Sequence, residues 1–188
     1  MTIPEIKTPD QRSKRFILVP FCLICQAFQA QGIVRYGYRA VIKPILEEIL
    51  RHDLNIIQMP CPESQLGGYE RGLKRGPNGI ERYDTPEFRE ICQRLASETV
   101  KMIKGVLAQN YEIVAILGME YSPSCATKLQ YSSRGTFHRP GLFIEALQEQ
   151  LAKERIKIPF LGINRRGIKK SLDELRQHLA QQKNLFYV

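Results

Sequence analysis

Tyr111-Glu112-Ile113-Val114-Ala115-Ile116-Leu117-Gly118 leads within a few residues into Ser122-Pro123-Ser124-Cys125. An apolar run of this kind, closed by a glycine, reads as a strand buried on both faces. The loop beyond it presents a thiol. The same arrangement occurs twice more. Phe16-Ile17-Leu18-Val19-Pro20-Phe21 runs into Cys22, and Leu54-Asn55-Ile56-Ile57-Gln58-Met59-Pro60 runs into Cys61. In a parallel α/β sheet the loops after the strands all open on the carboxyl edge, where ligands bind. Thiols far apart in sequence then converge, and three converging thiolates point to a soft-metal or iron–sulfur site.

The rest of the chain supplies the helices such a sheet needs. Val41, Ile45, Leu46, Ile49 and Leu50 recur at helical spacing over residues 40–52, with Pro44 near the first turn. Thr85-Pro86-Glu87 reads as an N-cap, a first-turn proline and a first-turn acid opening a long helix to about residue 108–110. Further helices are expected over 141–155 and from a capping box at Ser171-Leu172-Asp173-Glu174. A fourth strand is expected over Ile158–Ile163. Residues 126–140 read as a polar loop. The alternation of strand and helix predicts a three-layer α/β/α sandwich with a mostly parallel, Rossmann-like central sheet. Residues 1–14 read as an N-terminal arm and 15–188 as one α/β domain. The glycine-rich, charged stretch 64–84 follows Cys61 closely. It reads as an active-site lid, or else as a plain insertion.

With 188 residues and 43% hydrophobic content, the chain can bury one good core. The net charge of +9 favours anionic partners. The basic residues are dispersed without interleaved aromatics, so nucleic-acid binding is not favoured over a basic surface. Five cysteines, an odd number, argue against a secreted disulfide framework and for a reducing, cytoplasmic setting. The apolar segment from Phe16 to Phe28 is broken by Pro20 and Gln26 and is too short to span a bilayer. The sequence contains no dinucleotide fingerprint, no phosphate-binding loop and no set of three closely spaced cysteines.

Not every cysteine is a candidate ligand. Cys22 and Cys25 form a C-x-x-C pair, but a redox pair sits at a helix N-terminus, and here it overlaps a strand end. Structural zinc would want two close pairs, and there is one. Cys92 falls on the apolar face of a helix, as a small buried hydrophobe does. Cys22, Cys61 and Cys125 remain as cofactor ligands, with Cys25 in reserve. Glu63 is placed to move protons, unless it serves only a helix start or an ion pair. Ser122 and Ser124 can hydrogen-bond a substrate or a cluster sulfide, or simply make a turn. His138 and Arg139 fall in the polar loop after Cys125, where a lone histidine reads as solvent-facing and not as catalytic.

The segments Val19-Pro20-Phe21-Cys22-Leu23, Met59-Pro60-Cys61-Pro62-Glu63 with Gly67-Gly68, and Ser122-Pro123-Ser124-Cys125, in this order, resemble the thiouracil desulfidase family, most nearly its desulfidase-related branch. Tyr83-Asp84-Thr85-Pro86 and Ile158–Ile163 share the resemblance. It implies a [4Fe-4S] cluster held by Cys22, Cys61 and Cys125, whose open iron takes the sulfur of a thiocarbonyl substrate. It also implies loss of that sulfur as sulfide without net redox change, assisted by Glu63 and by Ser122 or Ser124. Ala126 stands where the family usually has glycine. The basic stretch after Cys61 admits a phosphorylated or nucleic-acid-borne thionucleobase as well as a free base. Two other classes compete. One is a non-catalytic basic α/β module that binds nucleotide or RNA. The other is an iron–sulfur or sulfur-carrier protein.

Overall fold

β3, Glu112–Met119, is the centre of the sheet, and every residue from Ile113 to Met119 is buried. The structure, a computed structural model, describes residues 9–29, 32–34, 37–67 and 79–183. On one side β3 pairs in parallel with β1, Arg15–Pro20, which in turn pairs in parallel with β2, Asn55–Met59. On the other side it pairs in parallel with β6, Phe160–Ile163. The strand order is β2-β1-β3-β6. Chain connections leave β1 toward one edge and β3 toward the other, so the crevice between their carboxyl ends is the topological switch point.

Helices complete a three-layer α/β/α arrangement. α4, Pro86–Leu107, packs on β3 and on α5, Leu142–Lys153. Its start is as the sequence predicts: Thr85 Oγ1 accepts from the Phe88 amide at 3.2 Å, a cap worth about 1 kcal/mol. Phe88, Cys92, Leu95, Ala96, Thr99, Val100 and Ile103 form its buried stripe, with Phe88 fully enclosed. α2, Lys43–Arg51, packs on α6, Ile168–Lys183, which also covers β6. Between α2 and α6 the buried Glu48 accepts from Arg176 Nε at 2.9 Å. Asp53, Asn110 and Arg155 lie just past the ends of α2, α4 and α5 with φ of 51°, 56° and 58°. Those are the left-handed positions that terminate helices.

The structure departs from the sequence reading in three places. The stretch 126–140 is not all loop: β4, Leu129–Ser132, and β5, Gly135–His138, form an antiparallel hairpin. Its polar residues conceal it, because Gln130, fully buried, occupies a position where an apolar residue is expected. The capping box does not open α6. The helix begins at Ile168, and the buried Ser171 turns its hydroxyl to accept from the Asn164 amide at 2.9 Å, tying the helix to the loop after β6. Cys22 does not lie on the strand end. It sits on a one-turn helix, α1, Phe21–Ile24, followed by a 3-10 turn over Gln26–Phe28. Of the stretch 64–84, residues 64–67 belong to α3, Pro62–Gly67, and Gly79–Arg82 form a 3-10 turn. The remainder of the expected lid, 68–78, lies outside the described residues, as does most of the N-terminal arm.

Candidate functional site

The carboxyl ends of all four parallel strands open on one cavity of about 360 Å3. Pro20 at the end of β1 lines it with Phe21 and Cys22 of α1, Cys61 and Glu63 line it from the link after β2 and the start of α3, Met119 to Cys125 from the end of β3 and its loop, and Asn164, Arg165 and Arg166 from the loop after β6. Arg82 and Tyr83, from the turn before α4, and Tyr131 and Thr136 of the hairpin close the remaining wall. Cys22 on α1, Cys61 after β2 and Cys125 in the loop after β3 therefore line a common space. Cys25, at the end of α1, and Cys92, inside α4, do not line it.

Each of the three thiols is placed by local backbone bonds. Gln26, almost fully buried, donates its side-chain amide to the Cys22 carbonyl, and its own amide donates to Ala40 O at 2.8 Å. Ser64 donates its hydroxyl to the Cys61 carbonyl at 2.8 Å. Around Cys125 the loop is shaped by serine. Ser122 Oγ accepts from the Cys125 amide at 3.0 Å and from the Ser124 amide at 3.3 Å. Gln130 Nε2 holds the Ser122 carbonyl at 2.6 Å.

Glu63 meets both serines. Ser124 Oγ donates to Glu63 Oε1 at 2.7 Å, and Ser122 Oγ donates to the same oxygen at 3.0 Å. Ser124 Oγ also lies 3.4 Å from Cys125 Sγ. A carboxylate, two hydroxyls and a thiol thus share one corner of the cavity. The turn reading of Ser122 is correct as far as it goes, since its hydroxyl closes a local turn. The same hydroxyl also reaches Glu63.

Burial acts on two of the cysteines in the same direction, and it is their position that separates them. Burial pushes the Cys125 thiol well above its ordinary value; the nearby Cys61 and Cys22 push the same way, and the Ser124 hydrogen bond offsets part of the rise. A buried thiol beside two others is held neutral until a cation compensates the thiolate, and metal binding does this by displacing the proton. Cys92 is pushed up to about 12, chiefly by burial and then by Glu63. It does not line this cavity and packs in the core, as its position on α4 predicts.

Several functional candidates escape a reading of the sequence alone. Glu120 is buried directly after β3. Its carboxylate accepts from Thr127 Oγ1 at 2.6 Å and from the Leu129 amide at 2.7 Å, which fixes the hairpin to the sheet edge. An acid at the end of an all-apolar run is the visible trace of this. Arg165 and Arg166 lie in the loop just after β6, at the same carboxyl edge of the sheet as the cysteines. Arg139, just after the hairpin, donates to Glu145 Oε2 at 3.0 Å and lies 3.6 Å from Asp84 Oδ2.

Among the described residues no three His, Cys, Asp or Glu side chains are close enough together to hold a single metal ion. A polynuclear cluster makes a different demand, since each thiolate binds its own iron at a separate corner. Three soft donors around one cavity fit that demand.

No family model matches the chain. An uncharacterized protein of Methanocaldococcus jannaschii is 27% identical over 147 residues, 78% of this chain and 84% of that protein. Among solved structures, the chain is similar to the [4Fe-4S]-dependent thiouracil desulfidase TudS, with 20% identity and a TM-score of 0.49, covering 87% of this chain and 99% of that one.

Proposed function

We propose that the chain is an iron–sulfur-dependent desulfidase of the thiouracil desulfidase family that removes sulfur, as sulfide, from a thiolated nucleobase or related thiocarbonyl compound. The observation that carries this reading is the convergence of Cys22, Cys61 and Cys125 on the cavity where Glu63 meets Ser122 and Ser124. The short motifs at these residues support the same family. A [4Fe-4S] cluster on the three thiolates would supply a thiophilic Lewis acid at the iron left without a protein ligand.

The chain's own groups account for the protons. In the net reaction one thiocarbonyl compound and one water give one carbonyl compound and one hydrogen sulfide, with no change of oxidation state. The water oxygen forms a bond to the thiocarbonyl carbon and the carbon–sulfur bond breaks. Glu63 takes a proton from the attacking water and passes it to the departing sulfur, then takes the proton of the hydroxyl left on carbon as the carbonyl forms and passes that to the sulfide as well. Ser122 and Ser124 aim Glu63 Oε1 through their hydroxyls. Phe21, Tyr83, Tyr121 and Tyr131 supply aromatic surface to the walls. Arg82, Arg165 and Arg166 line the same cavity and suit a substrate that carries an anionic group.

The test is a screen for sulfide release by anaerobically reconstituted protein against thiolated bases, nucleosides and nucleotides. Stoichiometric appearance of the oxo product and sulfide, without added reductant, is the expected result. Release that depends on a reductant, or none with any thiocarbonyl compound, contradicts the reading.

A further inference from the structure

Among the described residues, four other than glycine have left-handed backbone: Asp53, Asn110, Tyr121 and Arg155. Three of them terminate helices, where that conformation has a structural use. Tyr121 follows no helix. It stands between β3 and Ser122 with φ of 65° and lines the cavity. The Ser122 amide donates to the Met119 carbonyl at 3.1 Å, which makes Met119–Ser122 a β-turn with Tyr121 at its third position. Positive φ at that position is the type II geometry, in which glycine is favoured. A bulky side chain there is an outlier held by its surroundings, and such outliers gather at binding sites. The surroundings are visible: the Tyr121 amide donates to the Leu129 carbonyl at 2.8 Å, and Glu120 beside it is locked to Thr127 and Leu129.

We propose that Tyr121 is a specificity-determining residue, whose ring forms the wall of the cavity on which a planar heteroaromatic thiocarbonyl ring stacks. The turn would be better served by glycine, and the chain places an aromatic ring there, next to the Ser122–Cys125 loop. Base–aromatic stacking selects for a flat ring and not for an acyclic thioamide of the same reactivity. This rests on the desulfidase reading for its substrate, though not for its geometry.

The experiment compares wild type, Tyr121→Gly and Tyr121→Phe after anaerobic reconstitution. Glycine keeps the turn and removes the ring; phenylalanine keeps the ring. Three quantities are read: melting temperature, equilibrium binding of 2-thiouracil, and KM for 2-thiouracil against KM for thioacetamide. Tyr121→Gly is expected to melt no lower than wild type and to weaken 2-thiouracil binding and raise its KM by about tenfold or more. KM for thioacetamide should be unchanged, and Tyr121→Phe should match wild type. Binding and loss on Tyr121→Gly without sulfide release from wild type would remove the reaction and keep the stacking wall. Unaltered 2-thiouracil binding in Tyr121→Gly, or no binding by wild type, overturns the proposal. So does an equal rise in both KM values.

Discussion

Ser124 donates its hydroxyl to Glu63 Oε1 at 2.7 Å, joining the loop after β3 to α3 across 61 residues of sequence. Glu63→Gln keeps the shape and the hydrogen-bond capacity and removes the base. It is expected to lower sulfide release roughly a hundred- to ten-thousand-fold while leaving iron uptake intact. The two serines should differ. Ser122→Ala strips the Cys125 and Ser124 amides of their acceptor, at a cost of about 1 kcal/mol, and should weaken iron retention as well as activity. Ser124→Ala leaves those amides paired and should affect turnover more than iron content. Iron assays beside initial rates on the three variants check the ranking.

Gly141 places the cysteine loop against α5. A Cβ there would run into the Ser124 carbonyl group and the Cys125 amide nitrogen, all backbone atoms. The amides of Phe143 and Ile144 both donate to the Ser124 carbonyl, at 3.1 and 3.2 Å, so the loop cannot yield without loosening the helix start. Gly141→Ala should destabilise by about 1–3 kcal/mol and reduce iron uptake together with stability. Gly105→Ala, in α4 with open space around its Cβ, should be neutral or stabilising by up to about 1 kcal/mol. Denaturant melts of the pair separate a local clash from a general intolerance of alanine.

The ion cluster between α2 and α6 sets a pH limit on the fold. Burial of Glu48 acts to raise its carboxyl, but the Arg176 hydrogen bond and charge, with Arg51 and His52, outweigh it and hold the group below the ordinary value of 4.5. A carboxyl lower in the folded state than in the unfolded one adds stability above the unfolded value. That contribution disappears as pH falls through the folded value. Glu48→Gln should therefore melt below wild type at neutral pH, and the gap should shrink as pH drops below 4.5. A gap independent of pH would show that the charge on Glu48 contributes nothing.

The centre of the sheet is legible in the sequence because β1 and β3 are buried along most of their length. Ile17–Pro20 and Ile113–Met119 need no alternation to be recognised, and Thr85-Pro86-Glu87 announces α4 by chemistry that acts locally. The cysteines are legible as a set because each follows such a run. What escapes is whatever depends on distant contacts. The hairpin 129–138 buries Gln130 in place of an apolar residue, since its amide is needed at the Ser122 carbonyl. Ser171 looks like a cap because it has the right neighbours, yet its hydroxyl is occupied by the amide of Asn164, seven residues back. The meeting of Glu63 with both serines could be anticipated only as proximity, since the distances depend on how α3 sits against the loop after β3.

The most direct test of the account is iron binding by the three thiols. Wild type and Cys22→Ala, Cys61→Ala, Cys125→Ala and Cys92→Ala are reconstituted anaerobically with iron and sulfide, and their iron content and absorption spectra are measured. Wild type and Cys92→Ala are expected to hold about four irons per chain with a broad band at ~400 nm, and each of the other three variants to lose both. A wild type that takes up no iron, or a Cys92→Ala variant that loses it while Cys22→Ala, Cys61→Ala or Cys125→Ala keeps it, would contradict the three-thiolate site.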